Sequence, residues 1–151
     1  MGKTMQGLTT RQRLIAAMRD PLQTHGMNGI GLTELFATAG APKGVLYHHF
    51  PGGKTELVAT AIDFTICAMM ARLDKLLADQ PDSIGVSQGW MSGAQRLLGD
   101  SGFARGCLLA TVALESTTQD LDIRAALARG FSSRLGIRLV CVPIATGGRS
   151  Y

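Results

Sequence analysis

Between Leu32 and Phe50 two short apolar stripes stand on either side of a glycine and a proline, a spacing that fits a helix-turn-helix and that many helical proteins also contain as a plain turn. Leu32, Leu35, Phe36 and Ala39 recur at helical spacing, and Gly40 follows as a residue able to take the left-handed conformation that ends a helix. Pro42 comes next but one. A proline at the first helical position costs nothing, because its missing N–H would be unpaired there anyway, so a further helix is predicted from Pro42 to Phe50. Its Leu46 and Phe50 lie one turn apart and face inward with Val45 beside them, leaving Lys43, Gly44, Tyr47 and His48 outside. Two short helices joined by Ala39-Gly40-Ala41 can present the outer face of the second to a DNA major groove.

The flanking text is helical as well. Thr9 or Thr10 caps a first helix with the stripe Leu14, Ile15, Met18 and Leu22, closed by His25-Gly26, and Pro21 predicts a kink or an early end. Past Pro51-Gly52-Gly53, residues Lys54 to about Ala78 read as one long connector that buries Leu57, Ala61, Phe64, Ala68, Leu73 and Leu76. A loop around Pro81 leads to a weaker, glycine-interrupted helix through Trp90 to Leu98, then an apolar helix from about Cys107 to Glu115. Asp120 caps a last helix with the stripe Ile123, Leu127, Phe131 and Leu135. The expectation is an all-α chain: a three-helix helix-turn-helix DNA-binding domain over residues 1–53, then a helical domain over 54–151.

Charge divides the chain at the same place. Residues 1–55 carry six bases against two acids and all three histidines, whereas residues 56–151 carry nine of each sign. A basic module on a neutral body suits a polyanion, since cations gain by releasing counterions from phosphates. No apolar run reaches the roughly 18 residues of a membrane span, and the N-terminus lacks a signal-peptide core, so a cytoplasmic protein is expected. Cys67, Cys107 and Cys141 form neither a disulfide framework nor a zinc motif, and Cys67 and Cys107 read as buried thiols.

The stretch GLTELFATAGAPKGVLYHHFPGGK, Gly31 to Lys54, resembles the recognition segment of TetR/AcrR-type transcriptional regulators, and its PKG-LYHHFPGGK variant resembles the LmrA/YxaF-like branch. Thr10 through the first helix, Gly106-Cys107 and Val112-Ala113-Leu114-Glu115-Ser116 extend the resemblance to roughly residues 9–134. It implies a ligand-responsive repressor, binding a palindromic operator in double-stranded DNA as a homodimer, with no cofactor, and makes residues 54–151 an effector-binding and dimerisation domain that is incomplete after about 135. Lys43 would donate to a guanine, Gly44 would let the helix approach the bases, and Tyr47, His48 and His49 would reach phosphates. Thr33 matches a DNA-contacting position, although a plain capping role fits equally well, and half-buried core is nearly as good a reading of His49. Lys54, a cation at a helix N-terminus, opposes the macrodipole unless a phosphate sits between its ammonium and the free N–H groups. The family's small, mostly apolar effectors make Met69, Met70, Trp90, Met91, Leu108 and Leu109 candidate pocket material, against simple core packing.

Other chemistries fit poorly. Gly53-Lys54-Thr55 lacks the earlier glycine and the preceding strand of a phosphate-binding loop, and His48 and His49 have no acid or cysteine to complete a metal site. No catalytic constellation is evident, and an enzyme is not expected. The rival of a different class is a remnant that keeps the fold without binding DNA, or a protein-interaction module. It is raised by the tail GIRLVCVPIATGGRSY, where Ile137, Leu139 and Cys141 alternate like a strand and Pro143 and Gly147-Gly148 interrupt helix, unlike the family's final helices. The expectation there is a weak, rearranged dimer or a poorly soluble monomer, with the stripe from Ile123 to Leu135 left uncovered.

Overall fold

The computed structural model describes residues 7–79 and 82–132. The expected loop around Pro81, Leu135, Cys141 and the strand-like tail lie outside the described residues. Within them the chain is built of helices: α1 (Thr10–Thr24), α2 (Leu32–Ala39), α3 (Val45–His49), α4 (Gly53–Asp79), α5 (Ser83–Asp100), α6 (Leu108–Glu115) and α7 (Leu121–Ser132). The all-α expectation holds.

Thr9 and Gln12 form a reciprocal capping box at the start of α1. The early end expected at Pro21 does not occur. Pro21 forfeits one bond to the preceding turn, but Met18 and Leu22 on either side are fully buried and hold the last turn in place, and His25 N–H closes it on the Pro21 carbonyl at 2.8 Å. At the far end of α2, Gly40 is left-handed at φ 59°, with its N–H on Ala37 and that of Ala41 on Phe36. These are the paired bonds of a Schellman close. The next helix begins later than the proline suggests: Pro42 to Val45 is a turn closed by a 3.1 Å bond, and α3 occupies only Val45–His49.

The buried stripe of α4 also departs from expectation. Leu57, Ala61 and Leu73 are buried and Leu76 is half-buried, but Phe64 is 50% exposed and Ala68 is exposed. Val58, Ile62, Thr65 and Ile66 take the inner positions, because α1 packs on one flank of α4 and α7 on the other. Phe64 carries the Arg19 guanidinium 5.5 Å from its ring centre instead. On α7, Ile123 and Leu127 are buried by this packing, contrary to the uncovered stripe expected; Phe131 is exposed, and Ala126 and Gly130 fill its place. Arg129 bonds Asp63 at 2.8 Å across the seam. Asp120 does not cap α7 with its side chain. Its carboxylate turns back to the backbone and hydroxyl of Thr117 at 2.8 and 2.7 Å, and those bonds hold it below the usual carboxylate range.

One core runs from Leu14 through Phe50 and Ile62 to Leu127, joining α1–α3 to α4, α6 and α7. A smaller one, Leu73 and Val86 with Met69, Met70, Leu76 and Trp90 around it, holds α5 against α4. The glycines that seemed to weaken α5 make this seam: Leu76 lies 2.9 Å from where a Gly89 Cβ would stand, and the Arg72 guanidinium takes the Cβ place at Gly93 while lying 5.7 Å from the Trp90 ring centre. No described helix is long and apolar enough to cross a membrane.

Cys67 and Cys107 are exposed, a correction to their reading as buried thiols: Cys67 lies on the outer side of α4 and Cys107 stands just before α6. In a Cys141→Ser background both should react with an aromatic disulfide without denaturant. Two thiols that titrate only after unfolding would contradict this placement.

Candidate nucleic-acid interface

Residues 31–54 form the site, and its geometry starts from two anchors. Leu46 and Phe50 are both fully buried in the main core, which turns the opposite side of the α3 segment outward. Lys43, Gly44 and His48 are exposed, Tyr47 is 65% exposed, and His49 is half-buried. Lys43 and Gly44 lie in the turn preceding α3 rather than in its first helical turn. The rings of His48 and His49 stack edge to face at 4.9 Å. Tyr47 leans on the start of α4, its Cε1 3.2 Å from where a Gly53 Cβ would be, so a side chain at Gly53 would dislodge it. Thr33 is exposed on α2; Gly31, not Thr33, occupies the cap position there, so the capping role falls away.

Lys54 is not a loose cation at the start of α4. Its ammonium donates to the Ile30 carbonyl at 2.9 Å, tying the turn before α2 to α4. Beside it Glu56 reaches back to the Gly52 N–H at 2.7 Å, placing a carboxylate where the helix dipole favours one. An acid in the first helical turn was the available signal for this role.

Two arginines escaped the sequence reading. Arg13 donates one guanidinium nitrogen to the Gly40 carbonyl at 3.2 Å and the other to Thr10 Oγ1 at 3.2 Å, so α1 grips the glycine turn at the negative end of α2. Its Nε is buried without a partner. Arg11 is exposed and stands 4.9 Å from the Phe50 ring centre, adding a cation beside the α3 segment.

The six candidate effector residues fall in separate places. Leu108 and Leu109 belong to the main core, Met69 and Met70 are half-buried where the two cores meet, Trp90 lies half-buried on the smaller one, and Met91 is 59% exposed. A described cleft of about 420 Å³ lies elsewhere, lined by Thr24, Leu97, Asp100, Ser101, Ala104 and Arg105. No group of three or more metal-ligating side chains gathers among the described residues.

A short helix plugged into the core by two residues, preceded by a left-handed glycine turn and carried on a helical body, defines a helix-turn-helix protein. Residues 14–61 match the family described as bacterial regulatory proteins, tetR family. The chain is 41% identical over 54 residues to the HTH-type transcriptional regulator LmrA of Bacillus subtilis, covering 36% of this chain and 29% of that one. To the HTH-type transcriptional repressor NemR of Escherichia coli it is 30% identical over 124 residues, 80% of this chain and 61% of NemR. The solved TetR regulatory protein from Rhodobacter sphaeroides superimposes with a TM-score of 0.71 at 26% identity, over 81% of this chain and 65% of that one. Residues 14–61 thus carry a tetR-family segment, and the described fold is similar to that of regulators named for that family. It spans less than two thirds of the length of these relatives.

Proposed function

We propose that this chain is a cytoplasmic, ligand-responsive repressor that binds a palindromic operator in double-stranded DNA as a homodimer, with residues 1–53 as the DNA-binding domain and 54–151 as the effector-binding and dimerisation domain. The observation that carries the reading is the division of the α3 segment into a buried plug, Leu46 and Phe50, and an exposed polar face of Lys43, Gly44, Tyr47 and His48. Lys43 donates to guanine O6 or N7 in the major groove, and Gly44 leaves room for close approach. Tyr47, His48, His49 and Thr33 donate to the phosphate backbone, and exposed Arg11 joins them. Lys54 spends one N–H on Ile30 and has two left for a phosphate oxygen, beside the opposing carboxylate of Glu56. In a dimer two such faces stand about 34–36 Å apart on successive major grooves. A small, mostly apolar effector engaging Met69, Met70, Trp90, Met91, Leu108 and Leu109 would shift that spacing and release the operator.

Fluorescence anisotropy on a duplex enriched from a random pool tests the reading. Lys43→Ala should reduce preference for that duplex over a base-substituted one by about 1–3 kcal/mol. Lys54→Ala should weaken all sequences alike and lower the slope of log K against log salt by about 0.9. If both variants bind as the parent does, the DNA face lies elsewhere.

A further inference from the structure

Three contacts fasten α6 and the loop before it to the end of α1 and the turn that follows. Arg105 pairs with Asp20 at 2.9 Å, and the Gly106 N–H donates to the Gln23 carbonyl at 3.2 Å. The third is of another kind: one oxygen of the Glu115 carboxylate, Oε2, accepts the backbone N–H groups of both Met27 and Asn28, at 2.6 and 3.1 Å, across 88 and 87 residues of sequence. Bonds from two donors to one ionised group are roughly twice as strong as neutral ones, whereas the Asp20–Arg105 pair is partly exposed and contributes less.

Gly26 makes the approach possible. It is buried and left-handed at φ 69°, and a Cβ on it would fall on the Glu115 carboxylate itself. The turn is thus shaped as a seat for an anion, with successive N–H groups converging on one point. On its other side the same turn is held by Lys54, through Ile30. Between these two grips the segment from Gly26 to Ile30 has its backbone fixed by side chains from α6 and α4, and α2 begins two residues later.

We infer that Glu115 is a positioning residue: its carboxylate sets where α1–α3 sit on the body, and any displacement of α6 reaches the α3 face through the turn at Met27–Asn28. The inference rests on the reading of that face as the DNA-binding surface. It contacts no DNA itself.

The test uses the full chain in a background with its three cysteines changed to serine, carrying spin labels at exposed Thr38 and Gln95, with Glu115→Ala, Glu115→Gln and Gly26→Ala. Glu115→Ala and Gly26→Ala should broaden the label-to-label distance distribution and speed exchange of the Met27 and Asn28 amides by about tenfold, leaving exchange in α4 and α7 near that of the parent. Glu115→Gln keeps an oxygen acceptor and should fall between. On the duplex that the unlabelled natural chain enriches from a random pool, Glu115→Ala should lose about tenfold in preference while retaining affinity for random DNA. Unchanged distances, unchanged amide exchange, or a general rise of exchange through α4 and α7 in all three variants would overturn the inference. So would equal losses on enriched and random DNA. A natural chain that enriches no duplex defeats the DNA-binding reading alone, and the distances and exchange still decide the role of Glu115.

Discussion

Phe50→Ala should cost the folded chain about 3–5 kcal/mol and abolish binding to duplex DNA. Five residues are too few for a helix to persist in water without tertiary contacts, so α3 owes its place to Leu46 and Phe50. Removing the ring empties a site with no exposure and takes away the surface over which Arg11 stands. The exposed residues would remain in the sequence yet lose the scaffold that aims them. A urea titration followed by circular dichroism, run beside anisotropy, checks both halves. An unchanged midpoint with intact DNA binding would mean that α3 is held by something other than its plug.

The second large effect is expected at the opposite end of the molecule. Among the described side chains of α5, a helix of eighteen residues, Val86 and Gly93 are the buried positions, so its docking depends on the glycine seam. Gly93→Leu places a side chain where the Arg72 guanidinium lies, and such overpacking costs about 1–3 kcal/mol. Val86, Trp90 and the two glycines carry the described packing of α5, so that cost is expected to detach it. Trp90 is the one tryptophan in the chain and packs on this seam, so its emission should move to longer wavelength as the indole meets water. Arg72→Ala in the same chain removes the clashing group and should restore part of the shift, a coupling that a double-mutant cycle isolates. Unaltered emission in Gly93→Leu would show that the seam can spread without releasing the helix.

What could be read beforehand was governed by range. Gly40, Pro42 and the spacing of Leu46 and Phe50 act on neighbours a turn or two away, so the helix-turn-helix and the outward residues of α3 were legible in the sequence. Even there Pro42 set only a turn, since a favourable first position does not compel the helix to begin at once. The stripe of α4 was misassigned at Phe64 and Ala68 because α1 and α7 grip that helix on two flanks, and the directions of those partners are not written in its own periodicity. The exposed thiols of Cys67 and Cys107 follow from the same ignorance of which flank is covered. In the candidate site exposure was foreseeable, but partners were not: the bonds of Lys54 to Ile30 and Arg13 to Gly40 cross 24 and 27 residues. The glycines of α5 looked like helix weakeners until Leu76 and Arg72 were seen to occupy the room they leave.

The segregation of the segment from Lys43 to Phe50 into two buried residues, Leu46 and Phe50, and an outer face has a consequence for how such a protein changes over generations. Positions 43 and 44 are exposed and positions 47 and 48 rest on the start of α4 and on His49, so substitutions there can accumulate at small cost to folding, while positions 46 and 50 must stay large and apolar. If these positions contact DNA as proposed, new targets can be explored by drift along a stable scaffold, without a compensating repair elsewhere. The same partition makes the segment a cassette for redesign: exchange the outward residues, leave the pair beneath them, and the remainder of the molecule need not be informed.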